Sequence, residues 1–590
     1  MDVAQIIILV SVLIMLILMI LEVAHPAMIA FITVLFFFVL GYISPSEITE
    51  TISNEGVLTL ALLFIATSVI DRTKVPEKIL FRILNSSKSE KSALLRLTGP
   101  LIGFSAFFNN TPLVVMMTTA IQKWCKERGF HASKFLLPIS YLTIFGGMLT
   151  IIGTSTNLIV HGWLLGKGFD GFSFFELAPY ALLGVVLGVI YLVVLGQRIL
   201  PETDTGISDR YDDGRRFLYE AVVGEKCRLI GKTVTSDEFK KLKDLYLLKI
   251  IRDEETISPI RLDDIIQNGD VLIFTGSLES LKSLEQFNNL SIKTDEDISL
   301  NSLQSDDAKL VEAVVSHNST MLHQKIKYSN FRGRYDASIV SVHRKNETID
   351  KNIGEIRLKP GDVLLMLAGP DFETHAYNSD DFYALTEIKN QKSMTTKETV
   401  ISIAAFVTMI VSVAFGFLSM FSAVLLCIGL FVLLDLFDPS QVKKSIPFEV
   451  LLLVVSSLGI GKVIETSGVA DLIANTMIFL IAENFGTIGL LAGIYLITNI
   501  LTEVITNTAA AVIVLPIALE VATFLDISPT SLAVIVAVAA SASFSTPIGY
   551  QTNLIVYGPG GYKFSDYLKL GLPLNLLFMV TVIFSVYMLS

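Results

Sequence analysis

Only three cysteines occur in the 590 residues, Cys125, Cys227 and Cys427, far apart and without metal-ligand spacing. A disulfide scaffold and a cysteine zinc site are thereby excluded. Charge is also scarce: 17% of the chain is Asp, Glu, Lys or Arg against 52% hydrophobic residues, and mean hydropathy is +0.62. That balance excludes an ordinary water-soluble fold. No G-x-G-x-x-G follows a strand-like run, so nothing supports a bound dinucleotide. A nucleophile–base set and a metal-hydrolase motif are missing too, which disfavours an enzyme, and no nucleic-acid partner is expected. A filter loop such as Thr-Val-Gly-Tyr-Gly has its nearest match in Ile548-Gly549-Tyr550-Gln551, which lacks it, and this weighs against a ligand-gated ion channel.

What the chain does have is long apolar runs interrupted by short polar clusters. Runs of about 17–23 nearly uncharged residues reach across a bilayer. They predict helices near 4–22, 27–43 and 56–71, an interrupted pair near 97–125, and spans near 136–166 and 175–198. A polar stretch at 202–394 follows. The second apolar half predicts helices near 398–417, 420–437 and 447–464, an interrupted pair near 486–525, and spans near 530–557 and 566–589. The arms of each interrupted pair, about 12–14 residues, are too short to span and read as re-entrant hairpins. Non-helical backbone at that depth is tolerated only against protein or a water-filled cavity. Pro112 is expected to keep Thr111 out of the helix, and Trp124 and Trp163 read as interfacial anchors.

The clusters come in pairs. Phe108-Asn109-Asn110-Thr111-Pro112 is followed by Gly153-Thr154-Ser155-Thr156-Asn157, and near the end Thr506-Asn507-Thr508 is followed by Thr546, Gly549, Thr552 and Asn553. From Asn110 to Asn507 is 397 positions and from Asn157 to Asn553 is 396. Interhelical glue explains one isolated Asn-Thr pair but not four clusters in duplicated order. Their amides, hydroxyls and freed carbonyls are the hard oxygens that sodium needs, while helix N-termini favour an anion. No Lys or Arg lies in 105–113, 149–158, 504–510 or 544–554, so a bound anion would be held by neutral donors. Glu503 is either a protonatable coupling group or a rim residue.

Basic residues orient the chain. Arg72, Lys74, Lys78, Arg82, Lys88, Lys91 and Arg96 fill one linker and Lys123, Lys126, Arg128 and Lys134 another, whereas 44–55 carries Glu47, Glu50 and Glu55 and no base. The positive-inside rule places the linkers and the polar insert in the cytoplasm and both termini outside. Five spans and one hairpin per half then insert the second half upside down.

The insert duplicates itself at an offset of 92. Tyr219-Glu220-Ala221-Val222-Val223 matches Val311-Glu312-Ala313-Val314-Val315, Arg252 matches Arg344, and Gly269-Asp270-Val271-Leu272 matches Gly361-Asp362-Val363-Leu364. Strand-like runs and Gly-Asp turns give two small α+β modules. They resemble TrkA-C domains, the C-terminal lobes of regulators of potassium conductance, and that resemblance implies a regulatory ligand such as cyclic di-AMP.

The paired Asn-Thr tips and Gly-x-x-Thr-Asn breaks resemble the divalent anion–sodium symporters. That resemblance implies a polytopic helical membrane protein of two inverted repeats, with first repeat 1–200, TrkA-C-like modules 201–290 and 291–394, and second repeat 395–590. It further implies a homodimer in the lipid bilayer of the inner (plasma) membrane, working as an elevator with Na+ as coupling ion and a small inorganic or carboxylate anion as substrate. Asn109, Asn110, Thr111, Thr156, Thr506, Asn507, Thr508 and Thr552 would bind substrate. Asn110, Gly153, Thr154, Asn157, Asn507, Thr546, Gly549 and Asn553 would bind sodium. Members with inserted TrkA-C modules resemble sulfate permeases, which favours sulfate over C4-dicarboxylates or citrate. Sodium/proton antiport and arsenite-type efflux are the alternatives on the same fold.

Overall fold

The computed structural model describes the chain except residues 1, 22, 25, 88, 109, 203–215, 234–244, 254, 258–263, 278–289, 294–308, 317–318, 323, 345–346, 350–352, 378, 380, 385–393, 437–445, 447, 478–482, 526 and 590. Before the insert come α1 (Val3–Ile20), α2 (Pro26–Val39), α3 (Pro45–Ile52), α4 (Glu55–Asp71), α5 (Val75–Ser86), α6 (Glu90–Ser105), α7 (Asn110–Arg128), α8 (Leu136–Gly147), α9 (Ser155–Gly166) and α10 (Ala178–Tyr191). After it come α11 (Thr396–Ala414), α12 (Met420–Leu433), α13 (Phe448–Thr466), α14 (Val469–Met477), α15 (Glu483–Val504), α16 (Asn507–Leu525), α17 (Pro529–Ser541), α18 (Gln551–Tyr557) and α19 (Phe564–Leu589). Among the described residues, Pro45–Asp71, Ala178–Ile199, Thr396–Ala414, Phe485–Val504 and Phe564–Leu589 are long and apolar enough to cross a membrane. The chain is a multi-pass helical membrane protein.

Local chemistry moves several boundaries. Ser89 caps α6 through the Ser92 N–H, so that helix starts before the apolar run does. At the other end of the pair, α7 continues through Lys126 and Arg128, whose charges complement its C-terminal dipole. The arms are therefore 16 and 19 residues, and α15 and α16 are 22 and 19, all longer than the apolar runs alone imply. Thr111 is helical, against expectation. Pro112 sits in the first turn of α7, where a missing N–H costs nothing because no intrahelical acceptor exists for it. The segment 44–55 holds the helix α3, closed by a Ser44–Glu47 capping box. Trp124 and Trp163 are buried at 2% and 3% exposure. They are packed in protein, Trp124 against Phe130 and Phe135, and not at a lipid interface.

Two helices organise the centre. Every residue of α8 is buried, and so is every residue of α17 from Ser531 to Ser541, as apolar faces all round require. With 12 and 13 residues, each is about 18–20 Å long, short of a hydrocarbon core about 30 Å thick. Neither crosses it alone.

The insert contains two five-stranded antiparallel sheets. The first is built from β1 (Arg216–Val223), β2 (Leu245–Arg252), β3 (Glu255–Ile257), β4 (Val271–Ser277) and β5 (Leu290–Lys293) in the order β3-β2-β4-β1-β5. The second, from β6 (Lys309–Val315), β7 (Ala337–Arg344), β8 (Glu347–Thr348), β9 (Val363–Ala368) and β10 (Phe382–Ala384), has the order β10-β6-β9-β7-β8, the same topology. Even the register shift recurs, between Leu247 and Lys249 and again between Ile339 and Ser341. Each sheet is stapled by a two-pronged ion pair: Arg252 Nε and Nη2 donate to Asp270 at 2.8 Å, and Arg344 donates to Asp362 at 2.7 Å. Both aspartates are buried. The second sheet touches the membrane helices: Gly361, at φ +81°, lies against Leu554, and Gly558 against Val363.

Asp362→Asn, which strands the Arg344 guanidinium, is expected to destabilise the second sheet by about 3 kcal/mol, read as loss of amide protection confined to that sheet. Burial pushes the Glu312 carboxyl up to about 7, with Lys126 pulling it back down. An acid raised on folding stabilises the fold below its ordinary pKa, and that contribution is lost as pH rises through the folded value. Thermal melts should therefore show the wild type losing more stability than Glu312→Gln between about pH 5 and 8.

Candidate functional site

Four helices end inside the molecule, and their polar residues close each end. In the first half, Ser105 at the end of α6 donates to Asn110 Oδ1 and to the Thr143 carbonyl. Thr150 donates to the Ala106 carbonyl and accepts the Gly153 N–H at 3.1 Å. Asn157 Nδ2 donates to the carbonyls of Gly147 at 3.0 Å and Thr150 at 2.8 Å. The backbone between α8 and α9 is thus held open by side chains.

The second half repeats this pattern, bond for bond. Thr502 donates to Asn507 Oδ1 at 2.9 Å and to the Ala540 carbonyl at 2.6 Å. Thr546 donates to the Glu503 carbonyl at 2.9 Å and accepts the Gly549 N–H at 3.0 Å. Asn553 Nδ2 donates to Ser543 at 2.9 Å and Thr546 at 3.2 Å. Each partner lies 396 or 397 residues from its counterpart.

Cross-half bonds join the two sets. Asn110 Nδ2 donates to the Tyr550 hydroxyl at 3.1 Å, which lies 3.4 Å from Thr154 Oγ1. Thr111 donates to Gln551 Oε1 at 3.0 Å. Ser140, inside α8, reaches Thr552 Oγ1 at 2.9 Å and Asn553 Oδ1 at 2.7 Å. The structure therefore brings together Asn110, Thr111, Thr154, Thr552 and Asn553, with Gly153 and Asn157 beside them. Thr156 is buried in α9. Asn507 and Thr546 close the second tip, and Gly549 packs against Ser543 and Glu503. Thr506 is exposed and accepts the Ala509 N–H at 3.4 Å, while Thr508 is half-buried in the first turn of α16. Asn109 lies outside the described residues.

Several buried oxygens keep an unused lone pair. Among the described residues, Asn157 Oδ1 and Asn575 Oδ1 meet no donor, and neither does Glu503 Oε2. The other Glu503 oxygen accepts the N–H groups of Phe544 at 2.9 Å and Ser545 at 2.8 Å, and Asn575 Nδ2 at 2.8 Å. Glu503 therefore caps the broken segment from inside. Buried acceptors without donors are costly unless something positive or protic visits them.

Among known proteins, the family model described as citrate transporter matches residues 16–523 and 480–590. The chain belongs to that family. A candidate sulfur deprivation response regulator of Chlamydomonas reinhardtii is 32% identical, over 91% of this chain and 93% of that protein. An uncharacterized transporter of Synechocystis is 31% identical over 91% of this chain and 89% of its own length. Sodium/sulfate cotransporter 1 of Chlamydomonas reinhardtii is 23% identical, covering 89% of this chain and 83% of that one. This member of the citrate transporter family is a transporter, not an enzyme.

Sequence reasoning missed Ser105, Ser140, Thr150, Thr502, Tyr550, Gln551 and Asn575. A signal existed for some: Ser105 and Thr502 stand 397 apart and Thr150 and Thr546 stand 396 apart, the same spacing as the asparagines. A β-carbon on Gly153 would meet the Gly147 carbonyl at 2.6 Å, and one on Gly549 would meet Glu503 Oε2 at 3.0 Å. Gly153→Ala and Gly549→Ala should each cost about 1–3 kcal/mol by overpacking, seen as lower melting temperatures in detergent. Gly99→Ala, whose β-carbon would meet no other described group within 4 Å beyond its own helix backbone, should leave melting unchanged or raised.

Proposed function

We propose that this protein is a sodium-coupled symporter importing a divalent oxyanion, with sulfate favoured over C4-dicarboxylates or citrate. The carrying observation is the pair of broken segments that close with the same bonds 396–397 residues apart and contain no basic side chain. Asn110, Gly153, Thr154 and Asn157 line one sodium half-site, and Asn507, Thr546, Gly549 and Asn553 line the other. Asn157 Oδ1, without a donor among the described residues, has the hard-oxygen chemistry sodium prefers. Substrate is held by Asn109, Asn110, Thr111 and Thr156 from one half and by Thr506, Asn507, Thr508 and Thr552 from the other. The N-termini of α7, α9, α16 and α18 supply donors and positive dipole ends for the anion. A net positive sodium beside it replaces the fixed cation the segments lack. The sulfate preference is supported by the cotransporter and the sulfur-response protein among the relatives.

On this reading residues 1–200 and 395–590 are inverted repeats, each with a re-entrant hairpin, that exchange access by an elevator motion within a homodimer in the plasma membrane. The 201–290 and 291–394 modules are TrkA-C-like, cytoplasmic and regulatory, with a small ligand such as cyclic di-AMP, and the chain termini lie outside. Their shared strand order and paired Arg–Asp staples support two copies of one module.

Purified protein in liposomes should accumulate labelled sulfate only under an inward sodium gradient. Asn110→Ala and Asn507→Ala should each cut uptake at least about tenfold, the worth of one hydrogen bond to a charged group. Failure to accumulate sulfate, succinate or citrate under that gradient would sink the proposal.

A further inference from the structure

The two halves differ at two neighbouring positions where the second break meets the first tip. Thr154 and Tyr550 occupy corresponding places, 396 residues apart, each capping the helix that follows a break in extended backbone. Thr154 is short and stays in its own half. Tyr550 is long, 8% exposed, and its hydroxyl crosses to Asn110 Nδ2 at 3.1 Å and to Thr154 at 3.4 Å. Among the described residues no bond runs the other way, from Thr154 to Asn507. The next pair differs in the same sense: Ser155 corresponds to Gln551, whose amide oxygen accepts from Thr111 at 3.0 Å. A phenol and a carboxamide therefore project from the second break into the first tip, where the first break projects two small hydroxyls.

We infer that Tyr550, with Gln551 beside it, is a size filter that limits the carried solute to a compact tetrahedral oxyanion and excludes four-carbon dicarboxylates. The inference rests on the transport reading above and names its substrate class. An aromatic ring held by two hydrogen bonds in a close-packed site has no room to retreat. A chain of methylenes between two carboxylates needs the volume that the ring fills, whereas one tetrahedral anion needs only donors around a point. The Tyr550 hydroxyl is such a donor, and so are Asn110 Nδ2 and the Thr111 and Thr154 hydroxyls once the anion replaces their present partners.

The test uses full-length protein in liposomes under an inward sodium gradient, with labelled sulfate and labelled succinate supplied separately. For the wild type we expect sulfate uptake, competition by selenate and molybdate, and no competition by succinate. In Tyr550→Thr, which copies the first half, succinate uptake should rise at least tenfold and the KM for sulfate should rise. Tyr550→Phe, which keeps the ring, should still exclude succinate while its sulfate KM rises several-fold. An unchanged sulfate-to-succinate ratio in a Tyr550→Thr protein that melts normally overturns the filter and leaves the transport reading standing. Succinate competing as well as selenate in the wild type overturns it equally, and needs no variant to fold. A wild type that carries neither anion removes the transport reading and the filter together.

Discussion

A peptide group that leaves a helix inside hydrocarbon must still find a hydrogen-bond partner, and water is not there to supply one. Most of the central architecture answers that demand. Hydroxyls of Ser105 and Thr502 bind the carbonyls at the ends of α8 and α17. Thr150 and Thr546 take the carbonyls at the ends of α6 and α15. The two asparagines, Asn157 and Asn553, each hold two carbonyls of the segment that precedes them. The broken backbone is thus locked by its own neighbours and left with a few oxygens to spare. The breaks are economical in this sense: the groups that make them tolerable are the groups that make them polar.

Against that common frame, the differences between halves carry the individuality of the protein. Where the first half has Ala106, the second has Glu503, whose carboxylate organises Phe544, Ser545 and Asn575. Gly147, pressed against Gly153, corresponds to Ser543. The first half is therefore closed by close backbone approach and the second by a buried acid network, so the two breaks differ in that the second places a carboxyl group there.

Much of the frame was legible in the residues. Apolar runs located the helices because burial and hydrocarbon select the same side chains, and clusters of Asn, Thr and Gly located their interruptions because those residues satisfy or permit bent backbone. The 92-residue echo in the insert anticipated two sheets because Arg252 and Arg344, with Asp270 and Asp362, recur with it. Helix ends were less legible. Charged residues extend α6 and α7 beyond the apolar run, and Pro112 reads as a breaker although it lies in the first turn, where it is harmless. Least legible were contacts spanning some 440 positions, such as Asn110 with Tyr550 and Thr111 with Gln551. No local pattern encodes which distant side chain a hydroxyl will meet, and the burial of both tryptophans has the same origin.

The turn at Gly361 that rests on Leu554, and Val363 on Gly558, gives the insert leverage. The helix it presses is α18, whose Asn553 stitches the second break. Any shift of α18 relative to the insert must either carry the five-stranded sheet with it or break these contacts. On the transport reading proposed above, work done on that sheet by a binding event would reach the barrier between the two access states, altering how fast the protein turns over without touching what it holds.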